Sequence, residues 1–304
     1  MSKIETALTK ARGRVVRLQQ VGEAKAPGTD IVPVREPVNR QMQRAAAAGA
    51  LKRMQEPWLL DPLALAEQRI IHLEMAGTAA AMAFRDLRTK IVQAAQENCS
   101  IVVTSCAKGH DSSLLATNLA VSFALDDSKT SMLLDCNLVA RSIEQIVRPT
   151  GEFGLADYLR SDEVRLDQII HPVGLRRFRV IPAGNSYDQM AEYFTLAKMR
   201  DLLSELRARY PDRYLVLNAA PILESADTRV LVELADYAVL VVPYGSVTET
   251  QIANAAQMIG SKKLLGVMFS DIPWLPSGHR GLLGWLARLV GFGFERGRNK
   301  NKKK

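Results

Sequence analysis

The chain has 304 residues, 47% of them hydrophobic and 24% charged, with a formal net charge of +8. That content supplies a sizeable core and excludes global disorder, and no apolar run approaches the ~20 residues that a membrane-spanning helix needs. Three cysteines, Cys99, Cys106 and Cys136, form an odd set without metal-ligand spacing; they predict free thiols in a reducing cytoplasm and no metal site. The charge is uneven. Residues 1–60 carry 11 Lys/Arg against 5 Asp/Glu, and residues 280–304 carry 8 against 1, so the stretch between them is acidic. Basic arms on an acidic centre point to an anionic partner, a nucleic acid or a membrane surface.

In chain order, the opening residues have no apolar core of the kind a secretory signal needs. Ile4, Leu8, Ala11, Val15 and Leu18 recur at helical spacing with basic residues between them, which predicts an amphipathic helix within 1–21. Residues 22–60 hold Pro27, Pro33, Pro37 and Pro57 and read as a flexible linker. From 61 to 275 the pattern tightens into a single domain. Six apolar, β-branched runs predict strands at 100–105, 130–135, 178–183, 213–218, 237–243 and 263–269. Helical stretches such as 114–125 and 196–210 separate them. The fold class expected is α/β: a mostly parallel sheet of about six to eight strands with helices on both faces, its ligand site at the carboxyl ends of the strands.

The first strand run is followed by Cys106-Ala107-Lys108-Gly109-His110-Asp111-Ser112-Ser113 and then by a helix. Strand, tight loop and helix is the layout of a phosphate-binding loop, in which backbone N–H groups and the helix N-terminus face the anion. Such a loop also uses Gly-Lys-[Ser/Thr]: glycine for close approach, lysine to neutralise the β- and γ-phosphates, and a hydroxyl for Mg²⁺.

At this loop the chain resembles the bacterial protein-tyrosine kinases of capsule and exopolysaccharide loci, part of the deviant-Walker class that includes the Min and Par partition ATPases. Their loop runs T-S-x-x-P-G-E-G-K-S-T, with A-N-L-A following. Here Thr104-Ser105 and Thr117-Asn118-Leu119-Ala120 keep that frame without a gap. The resemblance extends over roughly 80–272 through Phe84-Arg85-Asp86-Leu87-Arg88-Thr89, Gly154-Leu155-Ala156-Asp157-Tyr158-Leu159, Val180-Ile181-Pro182-Ala183-Gly184, Ser225-Ala226-Asp227 and Leu265-Gly266-Val267. It implies a P-loop NTPase-like fold and an ATP-dependent tyrosine kinase ancestry.

The chain departs from the family at its charged positions. Asp111 stands in place of glycine and Ser112 in place of the essential lysine; Ser113 keeps the hydroxyl, and Lys108 lies one position off the extra signature lysine of the class. In the second acidic motif, L-[IL]-D-x-D-x-R-R-P, Asp135 survives while Asn137 replaces the second aspartate. In the Walker B segment, V-I-I-D-T-P-P, the metal-organising aspartate has become Asn218. A charge-assisted contact worth about 1.5–3 kcal/mol is thereby lost, and a neutral amide is a weaker partner for Mg²⁺ than a carboxylate. Lys108, Gly109, Asp111, Ser112, Ser113, Asp135, Asn137 and Asn218 are accordingly expected to be a vestigial nucleotide site without catalytic residues. No cofactor is expected, and Mg-ATP or Mg-ADP binding is doubtful.

The family assembles rings through E-x-x-R-x-x-R on the helix before the first strand. Here Met82 replaces the glutamate, while Arg85 and Arg88 remain as oligomer-interface candidates, leaving self-association open. The family's C-terminal tyrosine cluster is missing, since no tyrosine follows Tyr244. The tail, 276–304, packs Leu282, Leu283, Trp285, Leu286, Leu289 and Phe292 between basic residues and predicts contact with an anionic inner-membrane surface or a membrane protein. Nucleic acid is not expected, because the arms match no nucleic-acid-binding motif. The resemblance then implies a non-catalytic regulator or scaffold of exopolysaccharide biosynthesis and export, a pseudokinase that is cytoplasmic and peripheral to the inner membrane. Its partner would be a Wzz-type membrane polysaccharide co-polymerase or export protein. Two alternatives stay open: a weak ATPase or protein-tyrosine kinase of the same pathway, and a Min/Par-like membrane-associated positioning factor.

Overall fold

The computed structural model describes residues 56–95, 98–107, 112–185, 193–195, 197–209 and 212–270. The amphipathic helix expected within 1–21 and the tail expected at 276–304 lie outside the described residues, as do Lys108, Gly109 and Asp111.

Six strands form one all-parallel sheet: β1 (Ser100–Ser105), β2 (Thr130–Asp135), β3 (Phe178–Ile181), β4 (Arg213–Asn218), β5 (Tyr237–Pro243) and β6 (Leu264–Ser270), in the order β3-β2-β4-β1-β5-β6. The inner strands are apolar on both faces because both faces are covered. Ile101, Val103, Leu133, Val216, Val239 and Val241 turn to one core. Val102, Leu134, Leu215, Leu217, Leu240 and Val242 turn to the other. The first core is closed by α2 (Ala79–Ala95) through Phe84, Leu87 and Ile91, and by α3 (Ser113–Ala124) through Leu115, Leu119 and Phe123. The second is closed by α7 (Ala197–Arg209), α8 (Ala226–Leu234) and α9 (Glu249–Ile259), through Met199, Leu202, Leu231, Ile252 and Ile259 among others. Three short helices, α4 (Ser142–Val147), α5 (Leu155–Arg160) and α6 (Leu166–Ile169), fill the connection from β2 to β3.

A segment ahead of the sheet is part of the packed body. It starts at Glu56, inside the span read from sequence as linker, where Glu56 pairs with Arg179 of β3 in a largely buried ion pair. Leu60 N–H then donates to Gly174 O (2.9 Å). The short helix α1 (Pro62–Glu67), capped by Asp61, buries Leu65. The extended residues beyond it bury Ile70 and Ile71 against the first core. Their backbone is held by one buried side chain of α3. Asn118 Oδ1 accepts from Ile71 N (2.8 Å), and Asn118 Nδ2 donates to Arg69 O and Leu114 O (3.0 Å each). An amide offers an acceptor and a two-proton donor, so one side chain satisfies backbone on both sides of residue 70.

From β1 the chain steps to β2 and β3, returns to β4 beside β1, and then moves to β5 on β1's other flank. The sheet order thus reverses around β1, and the crevice above its carboxyl end is where a parallel sheet of this kind leaves room for a ligand.

Candidate functional site

Four strand ends meet at that crevice. β1 leads through Cys106 and Ala107 toward Ser112 and α3; β2 ends at Asp135, β4 at Asn218 and β5 at Pro243. Register places Asp135 beside Asn218 across the β2–β4 ladder and Asn218 beside Val103 across the β4–β1 ladder. Three residues that are far apart in the chain, Ser112, Asp135 and Asn218, therefore converge. Each is almost wholly buried, at 2%, 0% and 0% exposure respectively.

They form one hydrogen-bonded chain. Ser112 Oγ donates to Asn218 Oδ1 (3.0 Å), and Asn218 Nδ2 donates to Asp135 Oδ1 (3.1 Å). The orientation of the amide follows from chemistry, since an ionised carboxylate only accepts and must therefore face the NH₂ end. Asp135 also accepts from Asn137 N (3.2 Å) and Ile143 N (3.4 Å). Ser112 Oγ lies within 3.3 Å of Ala219 O as well, so the hydroxyl is turned into the sheet end rather than toward the crevice. Asn137, the other amide singled out by sequence, is spent on a local turn in which its Oδ1 accepts from Ala140 N (3.4 Å). Ser113 is buried in the first turn of α3. Arg141, which follows that loop in a left-handed conformation (φ 50°), pairs with Glu144 through Nε and Nη2 at 3.0–3.2 Å.

The segment after β4 is pinned from both sides. Ala219 N donates to Val103 O (3.0 Å) and Ile222 N to Ser105 O (3.0 Å). Ala220 O accepts from the hydroxyls of Thr104 (2.6 Å) and Thr228 (2.9 Å). Thr104 opens the loop frame noted in the sequence, whereas Thr228 does not stand out there; its signal is Ser225, which caps α8 by accepting from Thr228 N and so fixes the turn of helix that carries Thr228.

Cys106 and Cys136 border the crevice, but β4 separates their strands. Two strand spacings of ~4.8 Å exceed the reach of a disulfide. Burial pushes the Cys106 thiol up to about 11, and burial beside the Asp135 carboxylate pushes Cys136 well above the usual range. Both are core thiols with too little thiolate to act as nucleophiles or ligands. No group of three or more His, Cys, Asp or Glu suited to a metal ion occurs among the described residues.

Among the described residues, the groups that the resemblance would give to an Mg-nucleotide are engaged with one another. The hydroxyl at 112 carries no charge and is engaged inside the sheet end. Both ends of the Asn218 amide are taken, and Asp135 accepts from two backbone N–H groups and from that amide. Of the two interface candidates on α2, Arg88 is committed within the chain: its Nη1 donates to Ser122 O (2.5 Å) and its Nη2 lies 3.9 Å from Asp126. Arg85 stands on the exposed face near Met82, which is itself 48% exposed.

No family model matches the chain. It is 28% identical over 191 residues to the tyrosine-protein kinase YwqD of Bacillus subtilis, covering 62% of this chain and 79% of YwqD. Among solved structures it is similar to the chimerical protein CapA2B2, with a TM-score of 0.59 and 20% identity over 75% of this chain and 100% of that one. The kinase domain of the Escherichia coli tyrosine kinase ETK gives a TM-score of 0.58 and 21% identity over 66% of this chain and 80% of that one. The structural likeness establishes a fold shared with those two proteins.

Proposed function

We propose, taking as premise that the chain is a relative of the bacterial tyrosine-protein kinases, that it works as a non-catalytic regulator or scaffold in exopolysaccharide biosynthesis and export. The observation that carries this reading is the Ser112–Asn218–Asp135 chain: of three positions where a kinase of this family concentrates charge, two hold a neutral hydroxyl and a neutral amide, and all three are hydrogen-bonded in series and buried. Phosphoryl transfer depends on positioned charge around the transferring group. Here one position is a hydroxyl and another an amide. Under this reading Lys108, Gly109 and Asp111 belong with them to a vestigial nucleotide site that has lost its chemistry. The partner is a membrane polysaccharide co-polymerase or export protein, Wzz-type by the resemblance. The basic apolar tail at 276–304 supplies contact with the anionic inner-membrane surface, as a short amphipathic helix with Trp and Phe can.

Calorimetric titration of the full-length protein with Mg-ATP and Mg-ADP tests the proposal. No binding by the wild type, with binding gained on Asp111→Gly plus Ser112→Lys, is the expected result; micromolar binding by the wild type overturns it. The second reading, a weak ATPase or tyrosine kinase, is favoured by the retention of Asp135 and the Ser113 hydroxyl at the strand and helix ends. It requires nucleotide turnover that Asp135→Ala abolishes.

A further inference from the structure

We propose that the Asn218 side chain takes the place of a cation at Asp135, so that the carboxyl edge of the sheet holds a single conformation with neither metal nor nucleotide bound. The inference deepens the non-catalytic reading of this site and rests on it. A carboxylate at zero exposure needs partners that offset its loss of water. Where a second carboxylate stands beside it, the pair repels and a divalent cation is the natural mediator between them. In this chain the neighbouring side chain is an amide, which donates to Asp135 directly (3.1 Å) and accepts from Ser112 (3.0 Å). One residue thereby supplies a donor to the carboxylate and an acceptor to the hydroxyl, and no charge is left over at positions 112 and 218. The surrounding backbone is fixed to match. Cys136 N donates to Asn218 O (2.8 Å), Asp135 accepts from Asn137 N and Ile143 N, and the 219–222 segment is tied to Val103, Ser105, Thr104 and Thr228.

Asparagine is distinguished from its isostere by what the swap removes. Asn218→Asp keeps the shape but replaces a donor with a second carboxylate about 3 Å from Asp135, a geometry in which like charges without a cation are strongly unfavourable. Asn218→Ala removes the donor without adding charge.

Thermal melts of the full chain, each in EDTA and in millimolar MgCl₂ or MnCl₂, test this. The wild type is expected to melt at the same temperature in both. Asn218→Asp is expected to melt about 5–10 °C lower in EDTA and to regain most of that with the cation. Asn218→Ala is expected to be lower in both, with no regain. A wild-type midpoint that rises with cation overturns the proposal, as does an Asn218→Asp variant that matches wild type in EDTA or gains nothing from either metal. Should Asn218→Asp fold only when prepared in magnesium, that is the expected dependence in its strongest form; failure to fold in either condition overturns the proposal. The readout separates this inference from the wider reading. Nucleotide binding by a cation-insensitive wild type refutes the non-catalytic function while leaving the bridge intact, and a cation-stabilised wild type that binds no nucleotide does the reverse.

Discussion

Asn118 shows how much one side chain can decide in this fold. Its amide satisfies Ile71 N, Arg69 O and Leu114 O at once, all at a buried junction between the leading segment and α3. Asn118→Ala strands those backbone groups and is expected to lower unfolding stability by about 1–3 kcal/mol, read from urea melts. Asn118→Asp should cost at least as much, because its carboxylate would face two carbonyl oxygens. The buried thiols give a second prediction at this scale. Burial raises Cys106 to about 11 and Cys99 to about 12. At pH 8 the native protein should therefore react slowly with a thiol reagent, and addition of denaturant should release rapid reaction of all three cysteines. The sign of the linkage follows. A thiol whose folded pKa is raised contributes stability that is fully present below its unfolded value and is lost as pH rises toward the folded one. The melting temperature should accordingly fall from about pH 9 upward and not on mild acidification.

At the scale of elements, the turn after β3 depends on two glycines packed against each other. Gly184 has φ +80°, and a Cβ there would lie 2.4 Å from Asp157 Oδ2 and 2.9 Å from Gly154 Cα. Asp157 in turn accepts from Gly154 N (2.9 Å) and Asn185 N (3.1 Å), joining the start of α5 to the end of β3. Gly184→Ala combines left-handed strain with a steric collision and is expected to cost about 1–3 kcal/mol, measurable as a lowered denaturation midpoint. The strands were the most legible elements. Runs at 100–105, 130–135, 213–218 and 237–243 coincide with β1, β2, β4 and β5, because a buried parallel strand must be apolar on both faces and its ends are marked by polar or turn residues. β3 is shorter than the 178–183 run, ending at Ile181, because Pro182 has no N–H to give a ladder. α4, α5 and α6 have four to six residues each and leave no periodic signal long enough to read.

For the whole molecule, the separation of charge sets the remaining expectation. The basic residues concentrate in 1–60 and 280–304, outside the acidic stretch that contains the sheet. Removal of residues 276–304 should therefore reduce co-sedimentation with vesicles containing anionic lipid, and added salt should weaken binding of the intact chain. Equal binding by the shortened chain would refute the membrane role proposed for the tail. The sequence by itself determined the parallel α/β plan and set uncharged residues at 112, 137 and 218. Strand hydrophobicity and residue identity are local properties and can be read locally. Only the tertiary structure decided that Ser112, Asn218 and Asp135 touch, that Arg88 is spent inside the chain, and that residues from Glu56 onward are packed against β3 and α3. Those contacts join residues dozens to more than a hundred positions apart. They depend on strand order and register, which place β4 between β1 and β2 and which no stretch of sequence states alone.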